Sequence, residues 1–127
     1  MSVPNYSDKY KAKVIIEPAG VIEERRKIGL HPSTPIPSGA IICYDNALWK
    51  WISKLPNRVE CDGWLKDAFL FPQNDSFVLV IKPFGYGAPT AVLVLEELIA
   101  YGIAKIVKFG SAGGLQKDMK IGDIVIC

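Results

Sequence analysis

An α/β architecture of three layers is what this sequence predicts, and most of the observations behind it lie in the last third of the chain. Phe77 to Ile81 and Ile103 to Phe109 are apolar runs of strand length, and Pro89 to Tyr101 between them is a run of helix length. Strand, crossover helix and strand of these lengths form a right-handed parallel unit. Each strand is followed by a glycine turn, Gly85-Tyr86-Gly87 and then Gly110-Ser111-Ala112-Gly113. An open α/β sheet places its ligand crevice at the carboxyl ends of its strands, so these turns are where chemistry is expected. Two small-residue loops on one sheet edge suit a polar, anionic small molecule.

The remaining elements follow in chain order. Lys13 to Glu17 reads as a short strand ended by Pro18 and Gly20, and Val21 to Ile28 as a helix with Gly29 at its C′ position. His31 to Gly39, rich in proline, is a loop. Ala40 to Tyr44 is a second strand, and Asp45 or Asn46 caps a helix running to about Leu55 with Trp49 and Ile52 on one side. Trp64 to Phe71 predicts a strand, and Pro72 to Asp75 a turn that closes a hairpin with Phe77 to Ile81. In the third helix Pro89 suits the first turn and Gly102 the stop. Its apolar residues surround most of the circumference, which predicts burial on more than one side, between layers or against a partner subunit. Ile121 to Cys127 predicts a last strand.

The chain has 127 residues, enough for one compact domain (residues 1–127) with a core that needs no disulfide staples. Half of it is hydrophobic, and the formal net charge is +2. So small a charge argues against nucleic acid or an anionic membrane as partner. The run Arg25-Arg26-Lys27 is expected on the solvated face of its helix. No apolar run is long enough to span a bilayer, and the polar amino terminus has no secretory h-region. Cys43, Cys61 and Cys127 show no metal-ligand spacing, so no metal site is expected and a reduced, cytoplasmic compartment is the reading. Cys43 and Cys127 lie in apolar runs, as small core residues do.

The first glycine turn is not a dinucleotide fingerprint. Thr90 stands where that pattern wants its third glycine, and Lys108-Phe109 end the next strand where an acidic residue belongs. A phosphate-loop NTPase motif is absent as well. Instead, Phe84-Gly85-Tyr86-Gly87-Ala88-Pro89-Thr90, the helix with Glu96-Glu97-Leu98, Lys108-Phe109-Gly110-Ser111-Ala112-Gly113-Gly114 and Ile121-Gly122-Asp123-Ile124-Val125 together resemble the nucleoside phosphorylase family. Within it they look most like the amino-terminal half of the uridine phosphorylase and hexameric purine nucleoside phosphorylase branch.

The resemblance implies a phosphorylase/hydrolase-like α/β/α fold with a mixed, largely parallel sheet, assembled as homo-oligomers. It implies a pentosyltransferase of nucleoside salvage, which cleaves a uridine-like or purine nucleoside with inorganic phosphate into free base and ribose 1-phosphate. No cofactor is implied, since phosphate is the co-substrate. Phosphate is itself the nucleophile, so the protein supplies positioning and charge stabilisation around an oxocarbenium-like transition state, and no activated serine or cysteine. By the match, Lys108 and Ser111 fall at phosphate-binding positions, Ala112 and Gly113 beside the ribose and base, and Gly85 and Gly87 in the turn that shapes the pocket floor.

The sequence departs from the family at several points. Lys108 replaces an arginine, keeping the charge and losing the bidentate fork. The family's opening glycine-aspartate-proline turn and its arginine have only approximate counterparts in Gly20 and Arg25, among Glu17, Glu23 and Glu24, which repel phosphate. Nothing in residues 1–127 matches the family's ribose-binding glutamate or its base-reading group, so no catalytic residue is assigned. Two alternatives therefore stand beside the phosphorylase: a nucleosidase of the same fold that uses water, and a non-catalytic ligand-binding or assembly domain. His31 reads as a surface loop residue, Trp49, Trp51 and Trp64 as core or interface aromatics, and Glu96 and Glu97 as the polar strip of the third helix.

Overall fold

The computed structural model describes residue 11, residues 16–64 and residues 67–126. In chain order the elements are α1 (Pro18–Lys27), β1 (Gly39–Cys43), α2 (Asn46–Ile52), β2 (Val59–Glu60), β3 (Ala68–Gln73), β4 (Ser76–Ile81), α3 (Ala88–Ala100) and β5 (Ile106–Phe109). The strands form a five-stranded sheet in the order β2-β3-β4-β1-β5. β1 runs parallel to both β4 and β5, whereas β3 is antiparallel to β2 and β4. The sheet is therefore mixed, and its parallel part is the β4-β1-β5 centre. The β4-α3-β5 unit skips over one strand, since β1 lies between the two.

Alternation along the strands divides the core between two faces. Ala40 and Ile42 of β1, Leu79 and Ile81 of β4 and Leu70 of β3 pack under Val94 and Leu98 of α3. Cys43 and Val80, from the alternate positions, pack on the opposite face against Ile52 of α2, with Trp49 and Phe69 beside them. β1 is apolar at every position because both of its faces are covered. α1 packs on α3 on one side of the sheet and α2 covers the other, giving an α/β/α arrangement.

Local chemistry explains the element ends. Pro18 occupies the first turn of α1, where its missing N–H costs nothing, so it starts the helix three residues before the position the sequence suggested. The expected strand from Lys13 to Glu17 falls mainly outside the described residues, and Glu17 is the extended N-cap of α1. Asp45 caps α2, its carboxylate accepting a 2.7 Å bond from the Leu48 N–H. That helix ends at Ile52, short of Leu55, with Pro56 close behind to prevent its continuation. The hairpin between β3 and β4 turns on Asn74-Asp75, with Asn74 at φ 52°.

Several expectations are corrected. β3 begins at Ala68 and not at Trp64, whose indole instead packs on Tyr101 at 4.8 Å between centroids and donates to Thr34 Oγ1. Residues 121–126 form no strand: Ile121 and Gly122 lie in a turn closed by the Asp123 N–H on Lys120 O, and Ile124 to Ile126 are exposed. A strand needs a neighbour to take its backbone hydrogen bonds, and no described residues supply one there. Cys127 lies outside the described residues. Among the described residues α3 is covered by the sheet and, at Glu97, by α1, but Val92, Leu93, Leu95 and Ile99 face outward, so of the two expected covers the layers alone do not enclose it. Trp51 is likewise exposed, whereas Trp49 stacks on Phe69 at 5.3 Å.

Candidate functional site

Parallel pairing places the ends of β4, β1 and β5 side by side, with β1 in the middle. The loop after β4 holds Gly85, Tyr86 and Gly87, and the loop after β5 holds Gly110, Ser111, Ala112 and Gly113. Both glycine turns therefore open on the same sheet edge, as the sequence predicts. Tyr44, the residue that follows β1, stands between them. Its backbone N–H donates to Phe109 O at 2.8 Å, and a Cβ added at Gly110 would lie 3.4 Å from its own Cβ. On the other side its ring lies 6.0 Å from that of Tyr86, centroid to centroid. The Tyr86 hydroxyl accepts a 3.3 Å hydrogen bond from the Asn46 side-chain amide.

Lys108 is paired in register with Ile42, so it points to the α3 face of the sheet, as Tyr44 does two residues further along β1. Its ammonium lies 5.2 Å from the centre of the Tyr44 ring. The same face holds the amino terminus of α3. Gly87 is its N-cap, at φ 95° and ψ 169°, and supplies no side-chain cap to the first turn. Pro89 has no N–H, so the free donors there belong to Ala88 and Thr90. A helix N-terminus and an ammonium on one sheet edge attract an anion. Gly85 is packed tightly against Thr90, whose hydroxyl would lie 3.3 Å from an added Cβ. Ser111, Ala112 and Gly113 continue beyond Lys108 in an exposed, irregular loop.

The structure thus places Tyr86, Lys108 and Gly110 around Tyr44, with Gly85 and Gly87 flanking Tyr86 and Ser111 to Gly113 continuing the second loop. It does not bring Gly20 or Arg25 there. Arg25 reaches from α1 to the carboxyl-terminal half of α3, where its two terminal nitrogens each donate to a Glu97 carboxylate oxygen at 3.0 Å. Burial opposes the guanidinium charge, yet hydrogen bonds and charge from Glu97, with the Tyr101 hydroxyl close by, raise its pKa. Neither residue is where the sequence placed it: Arg25 is half-buried and Glu97 is buried, not on solvated faces. Glu97 is nine residues into α3, about 13 Å along its axis from the glycine loops.

Sequence reasoning missed Tyr44 as a site residue. The signal was available, for it directly follows an apolar strand and precedes a helix cap, the same position that the glycine turns hold after their own strands. Burial raises the pKa of its phenol, so at neutral pH it is a protonated group and not a base. The hydroxyl is buried without a hydrogen-bond partner among the described residues. An open cavity of about 310 Å³ lies elsewhere, against β2 and β3, lined by Glu60, Cys61, Asp62, Trp64 and Asp67 among others. It contains none of the predicted site residues. Burial, reinforced by Glu60 and Asp62, pushes the Cys61 thiol up to about 11, so this wall carries no nucleophile at neutral pH. No group of three or more metal-ligating side chains occurs among the described residues. No helix among them is long and apolar enough to cross a membrane.

The sequence profile of the phosphorylase superfamily matches residues 74–127, the segment that includes β4, α3, β5 and both glycine turns. A guanosine phosphorylase of Halorubrum lacusprofundi is 38% identical over 86 residues, covering 56% of this chain and 34% of that protein. A DeoD-type purine nucleoside phosphorylase of Exiguobacterium sp. is 42% identical over 47 residues, covering 36% of this chain and 20% of its own length. The DeoD-type enzyme of Caldanaerobacter subterraneus subsp. tengcongensis is 44% identical over 47 residues with the same coverage. The chain therefore spans between a fifth and a third of the length of these curated relatives. No solved structure matches it. The likeness is to nucleoside phosphorylases in general and does not single out one branch.

Proposed function

We propose that residues 1–127 form a single unit corresponding to the amino-terminal part of a nucleoside phosphorylase, and that the two glycine turns form one wall of its phosphate and ribose pocket. The observation that carries this reading is the meeting of both turns, the α3 amino terminus and the Lys108 ammonium on one sheet edge, inside the segment that resembles the superfamily. In this reading the ammonium and the Ser111 hydroxyl hold inorganic phosphate. The backbone at Ala112 and Gly113 lies along the nucleoside, and Gly85 and Gly87 keep the floor open. A phosphate oxygen then bonds to the anomeric carbon of the ribose as the bond to the base breaks. The base leaves with the bonding electrons and takes up a proton, giving ribose 1-phosphate. The relatives carry the names of guanosine and purine nucleoside phosphorylases, which makes a purine nucleoside the first substrate to test.

Release of free base is expected to depend strictly on added phosphate. Lys108→Ala should weaken phosphate binding by about tenfold or more, the scale of a lost charge-assisted hydrogen bond. Unchanged affinity in calorimetry removes Lys108 from the site. One observation favours a second reading, the nucleosidase: Arg25 is committed to Glu97, so it brings no second cation to the phosphate. Base release at full rate in phosphate-free buffer would establish that reading instead. Binding of phosphate or nucleoside without turnover would mark the chain as a ligand-binding domain.

A further inference from the structure

Tyr44 has no role in the proposed reaction, although it lies against both loops. Among the described residues its hydroxyl has no hydrogen-bond partner, so what the side chain contributes there is its ring. One loop meets that ring through Tyr86, and the other supplies Lys108, whose ammonium lies 5.2 Å from the ring centre. That distance is inside the range, about 6 Å, over which an aromatic face attracts a cation. A lysine side chain has several freely turning bonds, and an exposed one gives up that freedom whenever it grips a ligand. An aromatic face beneath the ammonium reduces the loss by confining the cation before the ligand arrives.

We infer that Tyr44 is a positioning residue: its ring face holds the Lys108 ammonium between the two glycine loops, where it receives an anion. The inference rests on the phosphate-binding reading of this edge. Tyr44 acts through Lys108, and the packed, hydrogen-bonded backbone of β1 and β5 fixes its place. Gly110 allows the second loop to pass close against it. The ring of Tyr86, whose hydroxyl accepts the bond from Asn46, lies 6.0 Å from that of Tyr44, so the series Asn46, Tyr86, Tyr44, Lys108 runs from one loop to the other.

The test varies the electron density of the ring without changing its shape. Tyr44→Phe removes an unpartnered hydroxyl and is expected to fold and to keep phosphate affinity within about twofold. Replacing that phenylalanine by its difluoro and tetrafluoro analogues weakens the negative ring face stepwise. Calorimetry with inorganic phosphate should then show affinity falling along the series by about two- to fivefold in total, the strength of an exposed cation–π contact. The same series in a Lys108→Ala background should show no trend, which a packing role could not produce. A flat series with phosphate bound normally, or an equal trend without Lys108, overturns the inference. Absence of phosphate binding in the unmodified protein defeats the phosphorolytic reading instead. In that case Lys108 side-chain carbon resonances that still move along the series uphold the ring–ammonium contact, and resonances that stay fixed overturn it.

Discussion

Arg25 and Glu97 lie 72 residues apart in sequence, yet they form a two-bond ion pair between α1 and α3. The two partners are unequally buried, 30% exposed for the arginine side chain and 9% for the glutamate, and this makes their removal unequal. Arg25→Ala leaves a carboxylate enclosed without a counter-charge, at an expected cost of about 3 kcal/mol. Glu97→Ala leaves a guanidinium that can turn to water, at about 1 kcal/mol. Urea unfolding of the two variants should show that order, and equal losses would mean that Glu97 reaches solvent. Cys61 gives a second prediction. Its thiol is raised from 9.0 to about 11, so the protonated form is the one the fold favours. The stability this contributes is present below pH 9 and lost as pH rises toward 11, and alkylation at Cys61 in the folded protein should stay slow until that range. A thiol that reacts at pH 8 as fast as in an unfolded peptide would contradict it. Glu97 could have been found from sequence, for it falls at helical spacing from Val94 and Tyr101, both buried. Its partner could not, because periodicity shows which face is covered and not by what.

At the scale of elements, the ends of α2 and α3 are fixed by chemistry of different kinds. Asp45 supplies a hydrogen bond, so Asp45→Ala should cost about 1 kcal/mol. Gly87 supplies a backbone conformation, φ 95° with ψ 169°, that side-chain-bearing residues scarcely adopt. Space is not the obstacle there, since an added Cβ meets nothing nearer than 3.8 Å. Gly87→Ala should therefore destabilise by strain alone, about 1–3 kcal/mol, read as a lowered denaturation midpoint at unchanged slope. A loss of a few tenths would show that the loop relaxes to another conformation. The caps, the hairpin and the strand-helix-strand unit were legible because each is written in adjacent residues. β2 was not, since two exposed residues carry no pattern and are ordered only by pairing with β3. Residues 121–126 failed in the opposite sense: their apolar pattern suits a strand, but no strand forms without a neighbour.

The whole sheet shows why the site was only half legible. The two glycine turns could be assigned to one edge because each follows an apolar strand. What lies between them depends on β1 inserting between β4 and β5, a long-range pairing with no local signature, and that insertion brings Tyr44 to the site. The same order leaves β5 at the margin of the sheet among the described residues, with Val107 and Phe109 exposed on the α2 face. An exposed apolar edge strand presents unpaired backbone groups to any similar edge and is prone to self-association. Light scattering of this chain should accordingly rise with concentration at neutral pH. Val107→Lys should suppress that rise, because a charge on the edge must be desolvated before two strands can pair. Val107 is 61% exposed, so the substitution should leave the unfolding midpoint nearly unchanged. Scattering that is flat for both proteins, or equal in both, would show that the β5 edge does not recruit another copy.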